Sequence, residues 1–452
     1  MTGDPGRLLW TLVAVLLWLA LVAVVVWREA RARRQARQGL AAPQAGQSVL
    51  VAFASQTGFG EELAGMTAEA LARGGVTARV MPLDQVNAEM LRTCGRALLI
   101  VSTTGEGDPP DNAPRFVRRV MTSDADLSGA RYGLLALGDR DYGQFCGFGH
   151  AVDGWLRRAG AEALFDVVEV DNGDAGAIRH WQHQLNALTG AIDEPDWAPP
   201  AYLPWRLTHR RLLNPGSPGG EAYHLRLDPV GHQPSWRAGD LAEVGAPPSA
   251  AHPAPGAREY SVASLPSDGG VELVIRLARH ADGTPGLASG WLTQACPLGG
   301  EVAMRLRANS GFHGPAPATP MILIGNGTGL AGLRAHIKER LAGCENWLLF
   351  GERTRAHDAF FDDELQAWTE AGVLSRLDRC FSRDAGDARY VQDLIAGAAE
   401  ELRGWVARGA AVYVCGSLEG MSRGVHAALE AALGEDAVIQ MIEDGRYRRD
   451  VY

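Results

Sequence analysis

The chain has 452 residues, of which 46% are hydrophobic and 21% are charged, and its formal net charge is −10. At roughly 150 residues per domain, this length predicts about three domains and excludes a small binding module. The apolar content excludes a disordered chain, and the acidic balance argues against a nucleic-acid-binding protein. The six cysteines include no C-x-x-C pair and no metal-ligand cluster, so we predict neither disulfides nor a bound metal.

The first predicted element is a membrane anchor. Residues 8–27 are apolar except for Thr11, and a helix of this length can cross a hydrocarbon core of about 30 Å. Several arginines follow between residues 28 and 37, so the positive-inside rule predicts a single pass through the inner membrane with the remaining chain in the cytoplasm. A cleaved signal peptide is the alternative, but the run is too long and its arginines lie on the wrong side.

After the anchor, the hydrophobic pattern changes twice. Buried runs such as Val49–Ala54 alternate with helical segments up to about Gly190, which predicts a parallel sheet flanked by helices. Short alternating runs then predict an antiparallel barrel, and the strand-helix alternation returns at Met321. The predicted organisation is a transmembrane anchor (1–30), a tether (31–48), an α/β domain (49–190), a linker (191–204), a β-barrel domain (205–317) and a second α/β domain (318–452).

Three loops of the first α/β domain follow predicted strands. In the segment Ser55–Gly58, hydroxyls and backbone N–H groups converge on a helix N-terminus, an arrangement that binds phosphate. For this loop alone, an ordinary Ser/Thr/Gly helix cap is the alternative. Two further loops, at 102–110 and 137–142, follow neighbouring strands, and such loops line one crevice in an open parallel sheet.

This set of loops resembles flavodoxin and the FMN domains of diflavin reductases. The resemblance implies that FMN is bound through its phosphate at one loop, its ring at the other two, and its ribityl chain near an acidic residue. The residues it assigns to FMN are Ser55, Gln56, Thr57, Gly58, Thr103, Thr104, Gly105, Gly107, Gly138, Tyr142, which would stack on the ring, and Asp171, near the ribityl chain.

The β-rich domain contains a strand and a turn that together suggest a second flavin. Arg258 and Tyr260 are two residues apart and face the same side of a strand, where one can pair with phosphate while the other covers a ring. An exposed strand with ordinary alternation is the alternative. With the turn that enters a helix at residue 286, the segment resembles the FAD domain of ferredoxin-NADP reductases. That resemblance assigns Arg258, Tyr260, Ser261, Gly286, Ala288 and Ser289 to FAD.

A glycine-rich loop between a strand and a helix marks the last domain. A G-x-G-x-x-G pattern can be read at Gly327, Gly329 and Gly332, where glycines let a pyrophosphate approach backbone N–H groups. Arg353 and Arg383 suit a 2′-phosphate, whereas Glu352 alone would suit the ribose of NAD, so we predict NADPH. The predicted NADPH residues are Gly327, Thr328, Gly329, Arg353, Ser382, Arg383, Tyr390 and Gln392.

The resemblance extends from residue 49 to the C-terminal aromatic, Tyr452, which would cover the outer face of the FAD ring. It implies that Ser261, Cys415 and Asp450 surround the point where NADPH reacts with FAD. From the residues alone, a strand hydroxyl, a core cysteine and a frayed terminus are the alternatives. The implied family is that of NADPH-cytochrome reductase and the sulfite reductase flavoprotein alpha subunit, here membrane-anchored. The large connecting domain of those relatives is absent, because only 67 residues separate Gly190 from Arg258.

The activity that this resemblance implies is electron transfer from NADPH to FAD, to FMN and then to a one-electron acceptor, a haem or iron-sulfur protein at the membrane. A ferric-chelate (siderophore iron) or quinone reductase and a non-catalytic flavin-binding regulatory module are the alternatives. The domain at 49–190 contains 18 acidic residues against 12 arginines, which would steer a basic partner unless they form only a solvated acidic face. Its acidic residues near the expected FMN end are Glu106, Asp108, Asp111, Asp139 and Asp141.

Overall fold

The structure is a computed structural model that describes residues 48–140, 142–190, 196–198, 201–248, 256–341, 343–386 and 388–452. Over these residues, the chain divides into two compact units. The first comprises residues 48–53, 62–108 and 119–197, and the second comprises residues 54–61, 109–118 and 198–452. The domain boundaries predicted above are finer than this division.

A parallel sheet forms the centre of the first unit. Its strands are β1 (Val49–Ala54), β2 (Ala78–Pro82), β3 (Arg96–Ser102), β4 (Arg131–Gly138), β5 (Glu162–Ala163) and β6 (Val168–Asp171). The order is β2-β1-β3-β4-β5, and β6 pairs with β4. Every residue of β1 is buried, as expected for a strand covered on both faces. Because the strands are parallel, the loops that follow β1, β3 and β4 leave the sheet at one edge.

Helices connect these strands. They are α1 (Phe59–Arg73), α2 (Ala88–Thr93), α3 (Pro114–Phe116), α4 (Gly147–Arg158) and α5 (Ala175–Thr189). The predicted flavodoxin-like α/β architecture is thereby confirmed. Asp174 is the N-cap residue of α5, and its carboxylate accepts from the N–H of Ala177 at 2.7 Å.

The second unit begins with a six-stranded antiparallel sheet. Its strands are β7 (Leu203–Leu212), β8 (Ala222–Pro229), β9 (Leu241–Ala246), β10 (Gly256–Ser261), β11 (Val271–Arg276) and β12 (Glu301–Arg307), in the order β10-β9-β12-β7-β8-β11. A buried cluster that includes Trp205, Leu225 and Val302 packs on one face. The antiparallel arrangement of the strands agrees with the prediction from sequence, while the closure of the sheet into a barrel stays a prediction. The short helix α6 (Leu287–Gly290) follows β11.

The second unit ends with a five-stranded parallel sheet. Its strands are β13 (Met321–Asn326), β14 (Asn346–Glu352), β15 (Arg376–Phe381), β16 (Ala411–Gly416) and β17 (Tyr447–Val451), in the order β15-β14-β13-β16-β17. The helices between them are α7 (Leu330–Glu339), α8 (Arg355–Asp358), α9 (Asp362–Glu370), α10 (Val391–Gly397), α11 (Ala399–Ala407), α12 (Arg423–Leu433) and α13 (Glu435–Glu443). Fully buried side chains such as Trp347 and Tyr413 fill the two faces of the sheet. The predicted second α/β unit is confirmed.

The described part of the chain contains no helix that is long and apolar enough to cross a membrane. Its longest helices, α1 and α5, have 15 residues each, whereas a membrane span needs about 20. The predicted anchor at residues 8–27 and the predicted tether lie outside the described residues.

Candidate functional site

The loop between β1 and α1 is a compact turn whose backbone is held by polar side chains. The hydroxyl of Ser55 is buried and accepts from the N–H of Gly60 at 3.0 Å, while the N–H of Ser55 donates to Asn112 Oδ1 at 3.0 Å. Gln56 exchanges two hydrogen bonds with Asp111, at 3.2 and 3.1 Å. Gly58 has φ of +77°, which side chains rarely tolerate, and Thr57 is half-buried. The loop is therefore preorganised at the start of a helix.

The loop after β3 folds into a small hairpin. Thr104 and Asp108 exchange both backbone hydrogen bonds at 2.9 Å, and Gly105 and Gly107 between them have φ of +52° and +107°. Thr103 is fixed from both sides, since its N–H donates to the Leu137 carbonyl and its hydroxyl accepts from the N–H of Phe148 at 3.2 Å. The hydroxyl of Thr104 is buried without a hydrogen-bond partner among the described residues. Such an orphaned group suits a bound ligand.

The loop after β4 presents an aromatic ring. Tyr142 is 45% exposed, so one face of its ring is available for stacking. A side chain at Gly138 would come within 2.8 Å of the Cys146 backbone nitrogen, which requires glycine there. Asp171, at the end of β6, accepts from the N–H of Arg140 at 3.1 Å and pairs with its guanidinium at 3.4 Å. Asp171 therefore anchors the loop that carries Tyr142. Asp141 lies outside the described residues.

In the second unit, Arg258 and Tyr260 lie on β10 as predicted, paired with Val244 and Ala242 of β9. Arg258 is exposed, and its guanidinium donates to the carbonyl of the adjacent Ala257 at 2.8 Å. Burial raises the pKa of the Tyr260 phenol, so the ring stays neutral. The pair combines an exposed cation with a half-buried ring on one side of a strand.

The turn at Gly286 starts α6, and its side chains face inward. Ala288 and Ser289 are both buried, and the Ser289 hydroxyl accepts from the N–H of Ala278 at 3.2 Å. A side chain at Gly286 would lie 2.9 Å from that hydroxyl. Contacts from this turn to a phosphate would therefore come from backbone N–H groups.

Three buried side chains from three strands meet in one cluster. Ser261 of β10 donates its hydroxyl proton to Asp450 Oδ2 at 2.6 Å, and the Cys415 thiol donates to the same oxygen at 3.7 Å. Cys415 and Asp450 are directly paired in the register of β16 and β17. Burial raises the pKa of Asp450 and, more strongly, that of the Cys415 thiol. Cys415 is therefore a thiol and not a reactive thiolate.

The C-terminal Tyr452 is held in place beside this cluster. Its N–H donates to the Gly416 carbonyl at 3.0 Å, and its own carbonyl accepts from the N–H of Leu418 at 2.9 Å. Its hydroxyl lies 3.4 Å from that of Thr328 in the glycine loop. The side chain is 57% exposed, so a fixed backbone presents a ring that a ligand can displace.

The glycine loop packs closely against the end of β16. A side chain at Gly329 would lie 2.1 Å from the Cys415 carbonyl oxygen, and Gly327 has φ of +54°. Asn326 Oδ1 accepts from the N–H of Ser417 at 3.1 Å and ties the loop to the residue after β16. These contacts explain why glycine is required at positions 327 and 329. They place the loop at the start of α7, where backbone N–H groups can bind phosphate.

Two exposed arginines follow neighbouring strands. The N–H of Arg383 donates to the Arg353 carbonyl at 2.7 Å, and the N–H of Ser382 donates to the Glu352 carbonyl at 2.8 Å. The structure therefore brings these predicted residues together at one edge of the sheet. Tyr390 is 50% exposed at the start of α10, and Gln392 of the same helix lies against Gly424 of α12.

Sequence reasoning missed several residues that support these sites. Asn112 holds the loop after β1, because its Oδ1 accepts a hydrogen bond from the N–H of Ser55. Gln144 packs against the loop after β3, so closely that a Cβ atom at Gly107 would lie 2.7 Å from its Oε1. Arg276 pairs with Glu352 at 2.5 Å across 76 positions of sequence. No local pattern marks these residues, because each acts through a partner that is distant in the chain.

Two protein families match separate parts of the chain. Residues 51–181 match the flavodoxin family, and residues 323–427 match the oxidoreductase NAD-binding domain family. Among curated proteins, the sulfite reductase [NADPH] flavoprotein alpha-component of Vibrio parahaemolyticus is 26% identical, over 92% of this chain and 88% of its own length. Those of Neisseria meningitidis and Vibrio cholerae are also 26% identical, over 90% and 92% of this chain and 89% of their own lengths.

The fold, the sites and these matches define the class of protein: the chain is an NADPH-dependent flavoprotein oxidoreductase, and its cofactors are FMN, FAD and NADPH. The predicted enzyme class and cofactors are confirmed. More particularly, the chain is similar to the flavoprotein alpha-component of sulfite reductase over about nine-tenths of its length. The alignment with the Vibrio parahaemolyticus relative spans 552 positions, more than the 452 residues of this chain, so that relative contains segments that this chain lacks.

The predicted location, a single-pass protein of the inner membrane with its body in the cytoplasm, is wrong. Over the residues that the structure describes, no helix can span a membrane, and the relatives matched over nine-tenths of the chain are sulfite reductase flavoprotein components. The prediction rested on residues 8–27, which lie outside those residues.

Proposed function

We propose that the chain transfers electrons from NADPH through FAD and FMN to a one-electron acceptor protein. The observation that carries this proposal is the cluster of Ser261, Asp450 and Cys415, beside an exposed C-terminal ring and a glycine loop. When bound, NADPH supplies electrons in a pair, and the two flavins convert that pair into single electrons. The residues of the chain position these groups and exclude water, because the chemistry itself belongs to the cofactors.

We assign the glycine loop and the two exposed arginines to NADPH. Gly327, Thr328 and Gly329 would meet the pyrophosphate with backbone N–H groups, and Arg353, Ser382 and Arg383 would bind the 2′-phosphate. Tyr390 and Gln392 would lie at the adenosine end. The side-by-side placement of the ends of β14 and β15 supports this assignment.

We assign β10 and the α6 turn to FAD, in the domain proposed at 205–317. Arg258 would pair with phosphate, Tyr260 would cover one face of the ring, and Tyr452 would cover the other until nicotinamide displaces it. The backbone at Gly286, Ala288 and Ser289 would meet the pyrophosphate. Asp450 accepts a hydrogen bond from the Ser261 hydroxyl and thereby fixes the orientation of that hydroxyl at the reacting centre.

We assign the loops after β1, β3 and β4 to FMN, in the domain proposed at 49–190. The turn at Ser55–Gly58 would hold the phosphate through its N–H groups and hydroxyls. The unpartnered Thr104 hydroxyl would bond to the ring, and Tyr142 would stack on it. Asp171 would act by holding Arg140 and the Tyr142 loop.

We infer that the acceptor is a redox protein containing haem or an iron-sulfur cluster. The relatives are named as alpha-components of sulfite reductase, which implies a second component that receives the electrons. Exposed Glu106 and Asp108 lie in the hairpin after β3, where they add negative charge next to the proposed FMN site. Such charge favours a basic partner.

The proposal is tested by removing FMN alone. Thr57→Asp places a carboxylate in the phosphate loop and should exclude FMN by charge repulsion, while FAD content is unchanged. We expect this variant to lose NADPH-dependent reduction of cytochrome c but to keep reduction of ferricyanide. Thr57→Ser keeps the hydroxyl and serves as the control. Full reduction of cytochrome c by an FMN-free variant would contradict the proposed order of electron transfer, in which FMN is the last cofactor. If the reduction of ferric chelates depends on FMN as much as the reduction of cytochrome c does, the alternative function as a ferric-chelate reductase is favoured.

A further inference from the structure

Asp358, the last residue of α8, is a fully buried carboxylate that joins the loop after β14 to the turn between β7 and β8. From the turn, its Oδ1 accepts from the side-chain amide of Asn214 at 3.1 Å, and its Oδ2 accepts from the hydroxyl of Ser217 at 3.0 Å. From the loop, Oδ2 accepts from the N–H and the hydroxyl of Thr354, at 3.1 and 2.8 Å. The carboxylate therefore receives four hydrogen bonds from uncharged donors.

This arrangement requires an ionised carboxylate. Burial by itself would raise the pKa of Asp358, but the hydrogen bonds from Ser217, Thr354 and Asn214 bring that pKa below its ordinary value. An ionised carboxylate accepts hydrogen bonds at both oxygens and donates none, which matches a site surrounded by donors. An amide at this position has only one oxygen and would direct its N–H groups at one of these donors.

The turn that Asp358 holds has a fixed shape of its own. The Asn214 side chain spans the turn, because its amide also donates to the Gly220 carbonyl at 3.1 Å and its Oδ1 accepts from the N–H of Ala222 at 2.8 Å. The Ser217 hydroxyl, which donates to Asp358, accepts in turn from the N–H of Gly219 at 3.0 Å. Asp358 thus fixes the position of the turn through both of these side chains.

The same turn packs against the side chain of Arg353. A Cβ atom at Gly219 would lie 2.9 Å from both Cδ and Nη1 of Arg353, so only a glycine allows the guanidinium to approach the turn this closely. The residue that follows Arg353 is Thr354, whose N–H donates to Asp358. Asp358 therefore fixes the backbone next to Arg353 and also the surface on which its side chain lies.

We propose that Asp358 is a positioning residue for the 2′-phosphate of NADPH, which directs the Arg353 guanidinium towards that phosphate. This inference rests on the dinucleotide site proposed above. Asp358 is fully buried and acts only through Arg353. Because NADH has no 2′-phosphate, the loss of Asp358 should lower the preference for NADPH without changing the affinity for NADH.

The experiment measures dissociation constants of NADP⁺, NAD⁺ and adenosine 2′-monophosphate for the flavin-loaded protein by titration calorimetry. Arg353→Ala should weaken NADP⁺ and adenosine 2′-monophosphate by about tenfold, the loss expected for a hydrogen bond between charged groups. Asp358→Asn should weaken the same two ligands by about fivefold, because Arg353 is present but displaced. Neither substitution should change the affinity for NAD⁺.

The double variant Asp358→Asn with Arg353→Ala tests whether Asp358 acts through Arg353. We expect it to bind NADP⁺ as Arg353→Ala alone does, since two residues that act through one contact give non-additive losses. Ser217→Ala is a milder variant that removes one donor to Asp358 and the acceptor for Gly219. It should shift the ratio of the NADP⁺ and NAD⁺ constants in the same direction as Asp358→Asn, and it serves if Asp358→Asn does not fold.

Asp240→Asn is the matched control. Asp240 is also a buried carboxylate, and it accepts from the N–H groups of Arg237 and Asn309, outside the turn and loop described above. This variant should keep the ratio of the NADP⁺ and NAD⁺ constants even where it lowers the thermal stability.

Two results would show that Asp358 has only a structural role and would overturn the inference. One is an equal loss of affinity for NADP⁺ and NAD⁺ in Asp358→Asn or Ser217→Ala, and the other is additive losses in the double variant. An unchanged ratio in both Asp358→Asn and Ser217→Ala, with the expected effect of Arg353→Ala, would also overturn it. If Arg353→Ala itself leaves the ratio unchanged, the proposed 2′-phosphate site is wrong and this inference fails with it.

Discussion

Burial determines what the clustered side chains of the second unit can do. Burial raises the pKa of Asp450 and of Cys415, which favours the uncharged forms of both. The cluster therefore supplies hydrogen bonds of fixed direction. This suits a reaction between two bound cofactors, in which alignment matters more than acid-base chemistry. A thiolate at Cys415 would add negative charge beside the carboxyl of Asp450, at further electrostatic cost.

The buried side chain of His336 makes the stability of the folded protein depend on pH. This side chain of α7 is 1% exposed and lies 5.1 and 5.0 Å from the rings of Phe312 and Tyr413, measured between ring centroids. Burial lowers the pKa of its imidazole to about 3. Because the unfolded chain binds this proton with a pKa near 6.5, stability is full above about pH 6.5 and is lost as the pH falls towards 3.

We therefore predict that His336→Leu removes part of the acid sensitivity. Between pH 8 and pH 5, the free energy of unfolding of the wild type should fall by about 2 kcal/mol more than that of the variant, as expected for one proton bound only by the unfolded chain. Urea denaturation followed by tryptophan fluorescence measures the difference. His183→Leu, at an exposed position of α5, is the control. Equal pH dependence of His336→Leu and the wild type would contradict the assignment.

The glycine loop between β13 and α7 depends on its close packing against β16. A Cβ atom at Gly329 would be 2.1 Å from the Cys415 carbonyl oxygen, so Gly329→Ala has to push the loop away from the strand. We predict at least about tenfold weaker NADP⁺ binding, because the N–H groups would be displaced, and a loss of about 1–3 kcal/mol in stability. Calorimetry and thermal unfolding measure the two effects.

Gly397→Ala provides the matched control for that prediction. Gly397 ends α10, and a Cβ atom there would meet nothing within 4 Å. It should leave NADP⁺ affinity unchanged. Normal NADP⁺ binding by Gly329→Ala would show that the loop does not need this close approach.

The elements that could be predicted from sequence are those whose signal is local. Strands β1, β13 and β16 are continuous apolar runs. The predicted limits of β1 equal the observed ones, and β13 begins at the predicted Met321. The glycine loop is equally local, because glycine spacing and the following helix appear within a dozen residues. The predicted loop residues accordingly fall where parallel strands end.

The remaining features depend on contacts between distant segments. The strand β17 has the sequence YRRDV, which has too little apolar periodicity to predict a strand, and it forms because β16 pairs beside it. That pairing places Asp450 next to Cys415. Likewise, the partner of Glu352 is Arg276, on a strand of another sheet. In the sequence, Glu352 suited the ribose of NAD while Arg353 and Arg383 suited a 2′-phosphate, whereas the structure pairs Glu352 with a third arginine, Arg276.

Charge is distributed unevenly along the chain. Residues 49–190 carry a net charge of about −6 from 18 acidic residues and 12 arginines, within a total of −10. Long-range attraction of this kind raises the rate at which an oppositely charged partner is encountered, and salt screens it. Reduction of a protein acceptor and of a small neutral acceptor should therefore differ in their response to ionic strength.

We predict that kcat/KM for reduction of cytochrome c, a basic protein, falls by about tenfold or more between 0.01 and 0.2 M ionic strength, whereas reduction of an uncharged quinone changes little. Glu106→Gln with Asp108→Asn removes two exposed charges of the β3 hairpin and should lower the low-salt rate and flatten its salt dependence. Glu435→Gln with Asp436→Asn makes the same change in charge at the start of α13 and is the control. If both double variants respond equally to salt, net charge alone governs the encounter and the hairpin is not the docking surface.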